Sequence, residues 1–347
     1  MTAVEPVSPP QPSSLSAAPS ARQDAPAVAE HSGVADGLAA FLKVRPRLFG
    51  IAYRMLGSAA EAEDLVQDVW LRWQTTDRRV VRDAPAFLVT TTTRLALNVM
   101  QSARSRRETY VGPWLPEPVD TSADPGLGAE RAQALELAVL VLLEKLTPTE
   151  RAAYVLREAF DYSYREIADL LRLEEANTRQ IVSRARKHVA DGRRAPVSRT
   201  EQRRLLDAFI DAARLGDAAA LAGLFAPEIA SVADGGGFVR AARVPVVGRE
   251  RVANFIAAVS SHYWAGVTPQ RIDTNGQASV LILREGVVVG LVTIDASERG
   301  IEQIMWMMRP SKLAGLRLAS RDEGHETLRP AFPDWSEPTA SPQGVSA

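Results

Sequence analysis

The sequence predicts a multi-domain chain in which two small all-α domains precede an α+β domain. Three observations predict it. Proline- and glycine-rich breaks divide the 347 residues into three long segments, apolar residues recur at helical spacing through the first two, and the third ends in strand-like runs after its helices. At roughly one domain per 150 residues the length also calls for two to three domains. Apolar residues make up 46% and charged residues 24%, enough to bury sizeable cores. The chain has no cysteine, which removes disulfides, thiolate nucleophiles, iron-sulfur clusters and cysteine-based zinc sites. His31, His188, His262 and His325 are scattered, so no metal and no cofactor is expected. No apolar run reaches the 18 or so residues of a membrane span, the first thirty residues lack a secretory core, and a cytoplasmic protein without membrane contact is expected. Forty-one basic against forty-two acidic residues leave a net charge of -1, so any nucleic-acid role must rest on local basic patches.

Residues 1–33 hold six prolines, six serines and seven alanines, a composition that cannot bury enough surface to offset ordering, and are read as a disordered tail. The first domain, 34–110, reads as helices. Leu38, Phe41, Leu42, Leu48, Phe49, Ala52 and Met55 recur at near-helical spacing, with a kink expected at Pro46, and Gly57 ends the pattern. Ser58 and Glu61 form a capping box that opens a second helix. Ala62, Val66, Val69 and Trp73 share one of its faces, while Asp64, Gln67, Asp68 and Leu71 share another. A third helix is expected from Pro85 through Leu95 and Val99 toward Arg107, its later half basic with Arg94, Arg104, Arg106 and Arg107. Residues 111–128, with Pro113, Pro116, Pro118 and Pro125, read as a linker.

The second domain, 129–193, carries the sharpest local signal. Thr147, Pro148 and Glu150 make a capping box with proline at the first helical position, and Ser163 and Glu166 repeat the box. The helix after Ser163 is expected to bury Tyr164, Ile167, Ala168 and Leu171. After Arg172–Glu174 another begins, with Ile181, Ala185 and Val189 facing inward. That order is a helix-turn-helix. Its second helix displays Asn177, Thr178, Arg179, Gln180, Ser183, Arg184, Arg186 and Lys187, a mixture of base-edge readers and phosphate binders. Between Thr178 and His188 there are four cations and no acid.

Residues 194–199 form a short second linker. The third domain, 200–315, is expected to begin with helices at about 200–215 and 217–225. A turn follows at Asp234–Gly237, then a short strand near 238–243 and a helix near 248–260. Strand-like runs at 278–283 and 287–294 flank Glu285 and Gly286, a hairpin signal, and 301–308 supplies the last strand of an antiparallel sheet. Residues 316–347 read as a largely disordered extension.

Several runs resemble a known family. RPRLFGIAYRMLGSAAEAEDLVQDVWLRW, the basic helix leading to RSRRETYVGPWLPEP, LTPTERAAYVLREAFDYSYREIADLL and SRARKHV are together similar to an extracytoplasmic-function (ECF) RNA polymerase sigma factor from about residue 38 to 190. The first helical domain then corresponds to sigma region 2 and the second to region 4. WLPEP (Trp114 to Pro118), DGGG (Asp234 to Gly237) and RPSKL (Arg309 to Leu313) resemble the SigJ-like group, whose C-terminal domain is SnoaL-like, a cone-shaped α+β fold. The chain departs from that group at Phe238, where a lysine is common, and at Arg309 and Ser311 in an asparagine-proline-aspartate-lysine-leucine box. Arg172 and Glu174 replace the customary turn glycine and capping serine, and Phe87 stands where tryptophan is frequent.

The resemblance implies a non-enzymatic transcription factor with two partners, core RNA polymerase and promoter DNA. It implies that Asp64, Gln67, Asp68 and Leu71 meet the polymerase clamp; the alternative is an ordinary solvated helix face. Phe87, Arg94, Asn98, Arg104 and Arg107 fall on the path of the melted downstream element, with core packing the alternative for Phe87. Asn177, Arg179, Gln180, Ser183, Arg184 and Lys187 fall on the upstream element. Regulation in cis is implied through Trp114, Leu115, Pro116, Glu117 and Pro118 of the linker against Asp234, Gly235, Gly236, Gly237, Arg309, Pro310, Lys312 and Leu313 of the SnoaL-like domain, and no anti-sigma partner is required. Two other readings stay open. One is a SnoaL-like isomerase or cyclase fused to a DNA-binding module, using Asp234, Asp273 or Asp295 in an enclosed pocket; the other is a stand-alone helix-turn-helix regulator.

Overall fold

The computed structural model describes residues 25–121, 136–192 and 194–316. Residues 1–24 of the expected tail 1–33, residues 317–347 of the expected extension 316–347, linker residues 122–128 and the start of the second domain at 129–135 lie outside the described residues.

Three helices build the first body: α1 (Ala25–Leu56), α2 (Ala59–Thr75) and α3 (Ala84–Glu108). Helix α1 begins inside the stretch read as a tail, because APAVAE holds its proline in the first turn, where a missing N–H costs nothing, and it continues through Pro46. Ser58 caps α2 by accepting from the Glu61 N–H. Leu48, Ile51, Val66, Val69, Trp73, Leu88 and Ala96 close a core between the three helices.

The second body comprises α4 (Leu137–Leu143), α5 (Pro148–Phe160), α6 (Tyr164–Leu171) and α7 (Glu175–Asp191). Both capping boxes form as expected. Arg172 ends α6 with φ 56° and ψ 49°, a left-handed conformation that costs a non-glycine residue about 1 kcal/mol. Ile167, Leu170, Ile181, Val182, Ala185 and Val189 pack α6 against α7. Thr178 is buried rather than displayed, its hydroxyl donating to the Glu174 carbonyl at 3.0 Å.

The third body begins with α8 (Arg199–Leu215) and α9 (Ala218–Leu224), and α10 (Arg249–Tyr263) follows later in the chain. Its six strands are β1 (Phe225–Asp234), β2 (Val246–Val247), β3 (Val267–Thr274), β4 (Gln277–Arg284), β5 (Val287–Ser297) and β6 (Gly300–Met307), in the order β2-β1-β6-β5-β4-β3. The short helix α11 (Pro310–Leu313) closes it. Three expectations are corrected. The strand lies at β1, before the DGGG turn, and 238–243 is loop. Strand β3 was not foreseen. The sheet is mixed, because β1 pairs parallel with β6 while the other neighbours run antiparallel.

Alternation along the strands gives the sheet two apolar faces. Ile229, Val280, Ile282, Val292, Ile294, Ile304 and Trp306 face Leu205, Phe209, Val252 and Ile256 of the helices. Val232, Leu281, Leu283, Leu291, Met305 and Met307 instead join the apolar cluster that contains Leu115 and the cores of the two helical bodies.

Candidate nucleic-acid interface and the linker junction

The two capping boxes start α5 and α6, and α7, which presents the predicted surface, begins after Glu174 without a side-chain cap. Asn177, Arg179, Gln180, Ser183, Arg184 and Lys187 are all exposed on α7. Arg179 pairs with Glu175 at 2.5 Å and lies 4.8 Å from the Tyr164 ring; Arg184 is 3.6 Å from Glu150, and Arg186 reaches Glu158 at 2.7 Å. Such exposed pairs are worth at most about 1 kcal/mol, so a phosphate can compete for these guanidinium groups. Lys187 carries no partner among the described residues.

In the first body the burial pattern separates the two predicted faces of α2. Ala62, Leu65, Val66, Val69 and Trp73 are buried, whereas Asp64, Gln67 and Asp68 are exposed and Leu71 is 52% exposed. On α3, Arg94 and Asn98 are exposed. Phe87 is half-buried, with its ring 5.7 Å from that of Trp73, so it serves the core at least in part. The side chains of Arg104 and Arg107 lie outside the described residues.

The WLPEP segment is not a free tether. Leu115, Pro116, Glu117 and Pro118 are buried. Asp234, fully buried at the end of β1, accepts from the Leu115 N–H at 2.9 Å, from the Tyr110 hydroxyl, and from Lys312 Nζ at 2.7 Å. Lys312 also donates to the Leu115 carbonyl and sits 4.2 Å from the Trp114 ring centroid. A buried carboxylate and a buried ammonium thus hold both backbone groups of Leu115. Burial pushes the Tyr110 hydroxyl up to about 12, against the nearby Arg309 guanidinium, which pulls it down. Gly236 adopts φ 57° beside Tyr110, Pro310 opens α11, and Leu313 is buried.

Glu117 extends the junction toward the first body. Its Oε2 accepts from Ser58 Oγ at 2.9 Å and from the Ala59 N–H at 3.0 Å, so the linker caps α2. Its carbonyl accepts from the Tyr53 hydroxyl at 2.6 Å, and that oxygen accepts from Asn275 Nδ2 at 2.7 Å. Burial raises the Tyr53 hydroxyl well above its ordinary pKa. Farther along, Asn275 and Val119 exchange two hydrogen bonds and Thr121 N–H donates to the Asp273 carbonyl at 2.9 Å. The linker therefore docks on the β3–β4 turn through a single antiparallel bridge, Asp120 opposite Thr274.

Sequence reasoning missed Tyr53, Asn275, Glu144 and Arg151. Arg151 is 1% exposed; its Nε donates to the Arg54 carbonyl at 2.8 Å, its Nη1 to Glu144, and its Nη2 has no partner among the described residues. For Asn275 a signal existed: Asn275-Gly276 is the dipeptide of a two-residue hairpin turn, and both have positive φ, 54° and 73°. Of the carboxylates in the enzyme reading, Asp234 is committed to the linker, and Asp273 is 48% exposed beside Arg203 at 3.3 Å.

Comparisons with known proteins agree with this layout. Family models for sigma-70 region 2 and sigma-70 region 4 match residues 40–107 and 136–189. The ECF RNA polymerase sigma factor SigJ of Mycobacterium tuberculosis is 37% identical over 236 residues, covering 65% of this chain and 74% of its own. The probable ECF RNA polymerase sigma factor SigI of the same organism is 31% identical over 285 residues, 80% of this chain and 95% of its own. The crystal structure of M. tuberculosis SigJ superposes with a TM-score of 0.65 at 29% identity, covering 80% of this chain and 98% of that one. The β-rich C-terminal body fits a SnoaL-like domain. That agreement favours the sigma-factor reading over the enzyme and stand-alone-regulator alternatives. With both sigma regions matched in order and the third body shared with SigJ, the chain belongs to the ECF RNA polymerase sigma factors, of the SigJ-like type.

Proposed function

We propose a division of labour for this chain within the work of a sigma factor, which binds core RNA polymerase and promoter DNA. Residues 34–110 act as region 2, with Asp64, Gln67, Asp68 and Leu71 of α2 on the polymerase clamp and Arg94, Asn98, Arg104 and Arg107 of α3 along the melted downstream strand. Residues 129–193 act as region 4, with α7 in the major groove: Asn177, Arg179, Gln180 and Ser183 toward base edges, Arg184 and Lys187 toward phosphates. The exposure of these polar faces, with their apolar counterparts buried, supports the division. The work is done in the cytoplasm, where the polymerase is.

The C-terminal domain controls initiation in cis by holding the linker. One observation carries this reading: the buried Asp234–Lys312 pair takes both the N–H and the C=O of Leu115. Freeing the linker changes the fraction of molecules in which regions 2 and 4 can separate to reach two promoter elements. Run-off transcription with purified core polymerase tests it. Asp234→Ala and Lys312→Met are each expected to change promoter-dependent output by severalfold in the same direction. Output equal to that of the parent chain in both would refute control through this junction.

A further inference from the structure

The loop joining β1 to β2 carries chemistry that the linker junction does not use. From Gly235 to Val247 the chain has no acidic residue. Arg240 and Arg243 are exposed, and neither has a partner among the described residues. Phe238 is 72% and Val244 70% exposed, so two large apolar groups and two unpaired cations share one surface loop. The Arg309 guanidinium stands 5.2 Å from the Phe238 ring and 5.1 Å from that of Tyr110, which adds a third cation to the patch and braces the phenyl ring.

This loop has a defined seat. Its backbone turns on hydrogen bonds from the Phe238 and Val239 N–H groups to the Gly235 carbonyl, at 3.0 and 3.3 Å. A Cβ at Gly237 would come within 3.3 Å of Val111, and one at Gly112 within 3.7 Å of the Arg243 Cα. The loop thus lies along residues 110–112, which directly follow the basic end of α3.

Exposed guanidinium groups on the same loop as an exposed aromatic ring, with no acid from Gly235 to Val247, suit single-stranded nucleic acid: the cations meet phosphates and the ring stacks on an unpaired base. Duplex DNA offers no free base face to stack on the ring, and a protein partner that seats it would show as a loss of polymerase binding without DNA. We infer that Phe238, Arg240 and Arg243 bind single-stranded DNA and so extend onto the C-terminal domain the strand path proposed for α3. The inference rests on that proposed function. Arg94 and Glu108 are separated by about 21 Å of helix at 1.5 Å per residue, so the loop would take up the strand several nucleotides beyond Arg94.

The experiment measures binding of labelled single-stranded and matched duplex promoter oligonucleotides to the full chain in complex with core polymerase, between 50 and 200 mM salt. Each phosphate contact on a single strand contributes about 0.7 to the slope of log affinity against log salt. Removing two contacts in R240A/R243A should therefore weaken the salt dependence by about sevenfold over that fourfold range. Phe238→Ala should lower single-strand affinity by about tenfold with the slope unchanged, and duplex affinity should stay the same in both variants. Unchanged single-strand affinity and slope would overturn the inference, as would a loss confined to duplex or a loss of polymerase binding without DNA. An R179A/K187A chain serves as the control on duplex. If α7 responds and the loop is silent, this inference alone fails; if both are silent, the DNA-binding assignments beneath it fail as well.

Discussion

Replacing Lys312 by methionine isolates the energetics of the linker junction. The substitution keeps the length of the side chain and removes its charge, leaving the Asp234 carboxylate, fully buried, with the Tyr110 hydroxyl and the Leu115 N–H as its remaining donors. Breaking one side of a buried pair costs about 3–5 kcal/mol, because the surviving charge stays in a medium that solvates it poorly. The same change strips the donor from the buried Leu115 carbonyl and the cation from the face of Trp114, losses that overlap with the first. In urea, with a slope near 2 kcal/mol per molar, the transition of the C-terminal domain should move down by roughly 2 M. Tryptophan fluorescence is the assay, since Trp114 reports on the junction directly. The double variant Lys312→Met/Asp234→Leu should recover about half of the loss, its remaining deficit being the orphaned Leu115 N–H and Tyr110 hydroxyl. A single-variant cost below about 1 kcal/mol, or a double variant that is simply additive, would refute the claim that these two charges depend on each other.

Three further outcomes follow from the structure. Gly57 has φ 70°, and a Cβ there would come 2.7 Å from Trp114 and 3.0 Å from Glu144, so Gly57→Ala should cost about 2–3 kcal/mol from overpacking and left-handed strain together, measured by thermal denaturation; a neutral result would mean that Trp114 does not rest there. Asn275→Ala leaves the buried Tyr53 hydroxyl without its donor and the Val119 N–H without an acceptor, a loss of about 1–3 kcal/mol that should also speed proteolysis within the linker. The Glu166 carboxyl lies below its ordinary pKa because the Ser163 side chain and backbone N–H hydrogen-bond to it. A depressed carboxylate stabilises the fold above its unfolded value near 4.5, and that contribution fades as pH falls toward the folded value. Glu166→Gln should therefore flatten the acid limb of a helix-content titration below pH 5, and an unaltered limb would place the titrating group elsewhere.

The helical two-thirds of the fold was legible because its signals are local. Capping boxes at Thr147/Glu150 and Ser163/Glu166, and a clean separation of apolar from polar positions on α2, are decided within a few residues. The C-terminal sheet was harder. Strand β1 contains Pro227 and follows directly on α9, and no local pattern assigns its residues between the helix expected to end near 225 and the turn at Asp234; what makes it a strand is parallel pairing with β6, some seventy residues later. Strand β3 carries Pro269, Arg271 and Asp273, a composition tolerated because it lies at the sheet edge. The same asymmetry holds for the sites. The exposed faces of α2 and α7 could be read from periodicity, and WLPEP, DGGG and RPSKL from resemblance, but the roles of Tyr53, Arg151 and Asn275 depend on partners 64, 97 and 222 positions away, which spacing along the chain does not record.

The second apolar face of the sheet has a practical consequence for anyone moving domains between proteins. Because Leu281, Leu291, Met305 and Met307 share one apolar cluster with Leu115 of the linker, the domain itself adding the short α11 with Leu313 and then Leu316, a cut at residue 200 would give a C-terminal module with much of that side uncovered. The transplantable cassette runs from Tyr110 to Thr121 and then from Arg199 to Leu316, two stretches with a whole helical body between them. A chimera has to carry the peptide that upholsters the sheet along with the sheet itself, and one that omits it should be recovered as aggregate.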